Sequence, residues 1–234
     1  MTLTTRIDAL PWDALHDTLD AQGFARTGVV LDARECDETA ALYDGAAFRS
    51  TIEMSRYRFG EGEYKYFAYP LPPVVDELRR ALYPHLARAA SRWAELLGEE
   101  LEYPADLDAF LKRCAAAGQT RPTPLMLRYG PGGHNTLHQD LYGDVAFPFQ
   151  VLAVLSEQGA DYEGGESVLV EQRPRAQSRA HVVALRRGEL MIFTTRHRPV
   201  AGSRGHYRAA MRHGVATLTS GERTSLGIIF HDAA

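Results

Sequence analysis

The sequence predicts an α+β fold, a jelly roll or sandwich of short antiparallel strands braced by helices that precede it. Three observations carry this expectation. Residues 1–122 place apolar side chains mainly at three- and four-residue spacing. Residues 123–234 shift to a period near two, broken at short intervals by turn residues. No repeat, low-complexity tract or Gly/Ser linker divides the 234 residues. One domain is therefore expected, with mainly helical support in 1–122 and a jelly-roll core in 123–234.

The elements follow in order. Residues 11–22 read as a helix with Pro11 at its start and Gly23 just past its end. Residues 34–43 form a second helix, and 57–72 are rich in Tyr and Gly. Val75, Leu78, Leu82, Leu86, Ala89, Trp93, Leu96 and Leu97 mark one face of a longer helix, expected to bend or break at Pro84. Leu107, Phe110, Leu111 and Cys114 repeat the pattern over a shorter span. Strands are expected at 125–129, 136–140, 147–155, 166–171, 181–185, 189–194, 211–218 and 225–231. Turns separate them at Gly130-Pro131-Gly132-Gly133, Gly164-Gly165, Arg187-Gly188 and Ser220-Gly221.

Composition narrows the partners. Lys+Arg 26 against Asp+Glu 30 gives a net charge of -4, so no global basic field points to nucleic acid. Cys36 and Cys114 stand far apart and outside any CxxC pattern, which fits a reducing interior. No apolar run approaches membrane-spanning length. The expectation is a cytoplasmic protein without membrane contact, a monomer or homodimer.

The chemical signal begins at His138-Gln139-Asp140. On a strand, residues two apart share a face, so an imidazole and a carboxylate can reach one metal ion. One further histidine would complete a facial set of three suited to a divalent first-row metal, with coordination positions left open. Alone the pattern is weak: nine histidines and thirty acids produce one such spacing by chance. The stretch from His213 to Phe230 changes the balance. His213 sits on one strand, Ser220-Gly221 turns the chain, and Arg223 opens an antiparallel return strand. That hairpin would set Arg223 one site deeper than His213. An organic acid chelating the metal needs its far carboxylate neutralised, which arginine does bidentately. Ser225 faces the same way. The competing reading of Arg223 is a solvent-facing strand residue.

These motifs resemble the 2-oxoglutarate/Fe(II) oxygenase superfamily in its prolyl-hydroxylase-like layout. Residues 162–166 (YEGGE) and 187–193 (RGELMIF) match the middle strands of that layout. More closely, the chain resembles a family of prokaryotic oxygenases through 62–72 (GEYKYFAYPLP), 137–143 (LHQDLYG), 171–175 (EQRPR) and 226–232 (LGIIFHD). The resemblance implies a double-stranded β-helix of the cupin-like kind. It also implies Fe(II) held by His138, Asp140 and His213, with 2-oxoglutarate and O2 as cosubstrates. Arg223 and Ser225 would anchor oxoglutarate, and Tyr129 would place its hydroxyl on it. The expected reaction is hydroxylation of an unactivated C–H bond in an amino acid or other small metabolite, releasing succinate and CO2. The family's general link to oxidative repair of DNA makes nucleic-acid dealkylation the alternative; a non-catalytic metal-binding jelly roll is a third. The chain departs from the layout at Ala209-Ala210-Met211-Arg212 and at His134-Asn135-Thr136, positions expected to reshape the substrate pocket.

Other polar residues compete for roles. His197, in an expected loop, His206 and His231 are rival third ligands. Gln150 lies in an apolar strand, where a buried amide costs free energy unless paired, so it is a candidate to face the cosubstrate. Tyr57, Tyr64, Tyr66, Phe67 and Tyr69 either roof the site or pack helices on the sheet. Gly164-Gly165 serves backbone geometry. Eleven arginines from Arg173 onward make this half locally basic, to hold an anion or to pair with acids elsewhere in the chain, Glu95, Glu99, Glu100 and Glu102 among them.

Overall fold

A computed structural model describes residues 1–140 and 143–234; Leu141 and Tyr142, within the 137–143 phrase, lie outside the described residues. The helices are α1 (Leu3–Asp8), α2 (Trp12–Gln22), α3 (Ala33–Ala41), α4 (Pro73–Leu96) and α5 (Leu107–Ala116). Their ends follow local chemistry. Gly23 takes the left-handed conformation (φ 80) that closes α2. Asp32 and Glu35 form a reciprocal capping box on α3, and the Asp106 side chain caps α5. Pro84 lies inside α4 without interrupting it. An interior proline costs about 3 kcal/mol. Leu82, Tyr83, Leu86 and Trp93 of the same helix are all buried, and burying one such side chain contributes about 1.5–3 kcal/mol. Packing wins.

The strands are β1 (Phe24–Val29), β2 (Phe48–Glu53), β3 (Gly60–Glu61), β4 (Glu63–Phe67), β5 (Leu125–Tyr129), β6 (His134–His138), β7 (Phe149–Val154), β8 (Tyr162–Gly164), β9 (Ser167–Gln172), β10 (Arg179–Val183), β11 (Glu189–Thr194), β12 (His197–Gly202), β13 (Gly205–Val215), β14 (Leu218–Gly221) and β15 (Arg223–Ile229). The major sheet runs β1-β11-β7-β15-β5-β4-β2, and the minor sheet β10-β9-β13-β6-β3 with β12 beside β13. Helices and antiparallel sheets thus combine as expected for a double-stranded β-helix.

Side-chain alternation divides the interior in two. Leu226 and Ile228 of β15, Phe149, Val151 and Ala153 of β7, and Leu190 and Ile192 of β11 join the helices in one core. Their neighbours Val154, Met191 and Phe193 face the minor sheet and meet Leu169 and Met211 in a second core. Strands buried on both faces read as continuous apolar runs, which is why β11 and β15 were prominent in the sequence. Arg79 ties the layers together: it pairs with Asp232 at 2.8 Å and donates to the carbonyls of Ile229 and Phe230.

The first half also supplies β1, β2 and β4 to the major sheet. Two expectations need correction. Arg223 does not return beside His213 in a hairpin. β13 pairs with β6, β9 and β12, whereas β15 pairs with β5 and β7. Between them β14 pairs with β8, so the chain crosses from one sheet to the other. His197 lies half-buried on β12 and not in a loop.

Candidate active site

The site forms where the open ends of the two sheets face each other. His138 ends β6 directly opposite His213 on β13, and their ring centroids are 4.3 Å apart. Asp140 lies just beyond the strand, not on it. Its carboxylate still converges, with Oδ1 3.6 Å from His138 Nε2 and Oδ2 3.2 Å from His213 Nε2. The three ligand atoms lie within 4.8 Å of one another. Gln139 between them donates to the carbonyls of Arg196 (2.6 Å) and Met211 (2.9 Å), stitching this turn to β13.

Hydrogen bonding prepares these groups. His138 Nδ1 donates to Thr136 O at 2.7 Å, which fixes the proton there and leaves the Nε2 lone pair free. Burial lowers the pKa of His138, and the neighbouring His213 lowers it further against the opposing pull of Asp140. The imidazole therefore stays neutral, the form that binds a metal. Gln150, buried on β7, donates its amide to Asp140 Oδ2 at 2.7 Å. The Gln150 amide thus contacts the Asp140 carboxylate. His213 is flanked by Phe193, ring centroids 4.7 Å apart.

The three residues line one cavity of about 300 Å³ together with Arg223, Ser225, Tyr129 and Gln150. Every residue selected from the sequence for the site reaches it. Arg223 is 1% exposed and donates to Ser225 Oγ at 3.2 Å. Its Nε makes no hydrogen bond, and among the described residues no carboxylate pairs with it. The other two buried arginines among the described residues differ: Arg79 holds Asp232, and Arg198 holds Glu171 at 2.6 Å. The Tyr129 hydroxyl is also buried without a hydrogen bond. Burial pushes its pKa up to about 12, against the pull of Arg223, so it remains a donor.

One participant escaped sequence reasoning. Ser167 is 3% exposed, lines the same cavity and has an unpartnered hydroxyl. Its only signal was a small polar residue on the inward face of an apolar strand. Gly164-Gly165 has the backbone role expected: both are left-handed (φ 75 and 66), and a Cβ on Gly165 would lie 2.5 Å from Leu218 and 3.2 Å from Arg223. The rival histidines do not join the metal-ligand group. His206 is exposed, and His231 accepts a hydrogen bond from Phe147 N–H at 3.2 Å. Of the aromatic cluster, Tyr64 and Tyr66 line the cavity. Phe67 instead packs in the helical core, and Tyr69 binds Asp232.

A model of an oxygenase family, described as catalysing oxidative methylation of damaged DNA, matches residues 62–233. The chain belongs to this oxygenase family. Two uncharacterised Mycobacterium tuberculosis proteins, from strains CDC 1551 and H37Rv, are each 53% identical to it over 168 residues, 72% of both chains. Its fold is shared with a Pseudomonas putida prolyl-4-hydroxylase (TM-score 0.59, 17% identity, 95% of this chain and 100% of that one). It also resembles a Trichoplax adhaerens prolyl hydroxylase solved with a hypoxia-inducible-factor peptide (0.58, 15%, 98% and 92%). A third is HygX of Streptomyces hygroscopicus, solved with nickel and 2-oxoglutarate bound (0.52, 17%, 92% and 85%). This oxygenase therefore shares the fold of these structures, and its cavity gathers a His138–Asp140–His213 group able to hold a metal ion. Its donor set fits: two imidazoles and a carboxylate suit Fe(II), and an uncompensated buried guanidinium suits a dicarboxylate.

Proposed function

We propose that this oxygenase hydroxylates an unactivated C–H bond of an amino acid or other small metabolite. The carrying observation is that one cavity of about 300 Å³ holds both the His138–Asp140–His213 group and the unpaired guanidinium of Arg223. That volume stands at the small end of ligand pockets. It must accommodate the cosubstrate as well as the reacting part of the substrate.

When bound, iron and 2-oxoglutarate supply the oxidising power from O2, with release of succinate and CO2. The protein's share is positional. His138, Asp140 and His213 hold the metal from one side. Arg223 receives the far carboxylate of the cosubstrate, aided by Ser225, Tyr129 and Ser167. Leu127, Leu152, Met191 and Phe193 supply apolar walls that keep the site dry. Gln150 orients Asp140 by occupying Oδ2. Replacing Gln150 with leucine keeps the volume and removes the donor, so Fe(II) affinity is expected to fall about 10–100-fold. Metal titration monitors this, and unchanged affinity would assign the amide elsewhere.

Dealkylation of nucleic acid is the second reading, supported by the description of the family. The internal pairing of arginines in the basic second half argues against it. Arg173 and Arg198 pair with Glu171, Arg187 with Asp37, and Arg208 with Glu99 at 2.6 Å. These four of the eleven arginines are thus held by carboxylates within the molecule. Succinate release screened over amino acids, small metabolites and alkylated oligonucleotides separates the readings. A small-molecule product that has gained one oxygen atom is expected. Turnover confined to alkylated strands, with release of an aldehyde, would replace the proposal by the second reading.

A further inference from the structure

Phe59, which lines the cavity, stacks on Tyr57, and the chemistry above uses neither ring. Tyr57 and Phe59 are 57% and 45% exposed, yet their rings lie nearly parallel, with centroids 5.6 Å apart and planes 18° from each other. Exposed large apolar groups gathered beside a cavity mark a binding surface. This pair is also held firmly. Phe59 N–H donates to the carbonyl of the fully buried Met54, and Arg58 between the rings takes the left-handed conformation (φ 59). The Phe59 carbonyl accepts from both Thr136 N–H (2.8 Å) and Thr136 Oγ1 (2.9 Å). Thr136 in turn receives the His138 Nδ1 bond, so ring pair and metal ligand hang on one strand.

Phe59 lines the cavity with Tyr64 and Tyr66, whose rings meet edge-on at 5.4 Å. Among the described lining residues the formal charges are Asp140 and Arg223, both engaged by the cofactors in the reading above. Nothing there matches a charged substrate group. Two nearly parallel, partly exposed rings favour a third ring, because aromatic pairs are stabilised beyond their area burial alone.

We propose that Tyr57 and Phe59 form a stacking subsite for a flat, uncharged aromatic ring, so that the substrate is a small aromatic or heteroaromatic compound. The proposal rests on the oxygenase reading and narrows its substrate. The small cavity and the internally paired arginines favour a free compound over a strand of nucleic acid.

The test uses anaerobic protein loaded with Fe(II) and 2-oxoglutarate, and ligand-observed NMR titration of three probes. These are N-acetyl-L-tryptophanamide, N-acetyl-L-leucinamide and a short thymidine oligonucleotide. Wild type is expected to prefer the tryptophan probe to the leucine probe. Phe59→Leu, which keeps the apolar surface but removes the ring, is expected to weaken the tryptophan probe roughly five- to hundredfold. Tyr57→Leu is expected to have a smaller effect in the same direction. The charge-transfer band of bound 2-oxoglutarate serves as the folding control. No preference in wild type, or a preference that survives both substitutions, overturns the subsite. Tighter binding of the oligonucleotide, lost in Phe59→Leu, overturns the free-compound assignment and gives the platform to nucleic acid. Absence of the band in wild type counts against the oxygenase reading instead, and ring preference is still read independently.

Discussion

Replacing Arg223 with leucine is expected to raise the 2-oxoglutarate concentration for half-saturation at least about 100-fold. A hydrogen bond to a charged group is worth about 1.5–3 kcal/mol, so a bidentate pair supplies about 3–6 kcal/mol. The same substitution should leave the protein without cosubstrate as stable as before, or more so. Its guanidinium is 1% exposed and has no carboxylate partner among the described residues. An unpaired buried charge is a cost, and removing it is neutral or stabilising. Titration with 2-oxoglutarate and thermal unfolding without it give the two readouts. A large loss of stability together with unchanged oxoglutarate affinity would mean that Arg223 is a structural residue.

The second large effect is expected at His213. Alanine there removes one of three protein ligands, so the loss of Fe(II) affinity should exceed the ~10–100-fold typical of an outer hydrogen-bond partner. His197→Ala and His206→Ala should bind iron as wild type does, since neither residue belongs to the converging donor group. The pH dependence follows from His138. A metal displaces a proton from imidazole, so binding weakens as pH falls through the histidine range. Burial and the adjacent His213 lower the pKa of His138. Its contribution to loading should persist below pH ~6.5, the ordinary midpoint for histidine. Iron retained by His213→Ala with wild-type affinity would dissolve the three-ligand assignment.

His138 and Asp140 stood out by their two-residue spacing, His213, Arg223 and Ser225 by their spacing around the Ser220-Gly221 turn, Gln150 as an amide in an apolar strand and Tyr129 through the resemblance; all seven line one cavity. Strands β5 and β11 were placed at their bounds, since burial on one or both faces imposes a strong pattern. Strands β1, β2 and β4 were not. Their sequences, FARTGV, FRSTIE and EYKYF, mix charged and apolar residues because they lie toward the sheet's margins. The hairpin was misread for a different reason. Sequence neighbours usually pair, but here residues of β14 pair with β8, and Arg223 reaches the cavity from the opposite sheet. The consequence for the site is small, because His213 and Arg223 still face each other across the same interior. Ser167 was missed because a serine in a strand carries no signal until its hydroxyl is found buried and unpartnered.

Departures from the family layout also have a physical meaning now. Asn135 and Thr136, ahead of the metal-binding turn, line the cavity, and Thr136 connects the aromatic rim to His138. Ala209 and Met211 are instead buried packing residues on β13. The first departure bears on substrate fit, while the second supports the strand that presents His213.

The most direct measurement is an anaerobic titration of the Fe(II)-loaded wild-type protein with 2-oxoglutarate, following the visible metal-to-ligand charge-transfer band. A saturable band is expected if His138, Asp140 and His213 hold the metal and Arg223 receives the far carboxylate. Stoichiometric iron with no band at any oxoglutarate concentration would contradict that account and leave a jelly roll that binds metal without this cosubstrate.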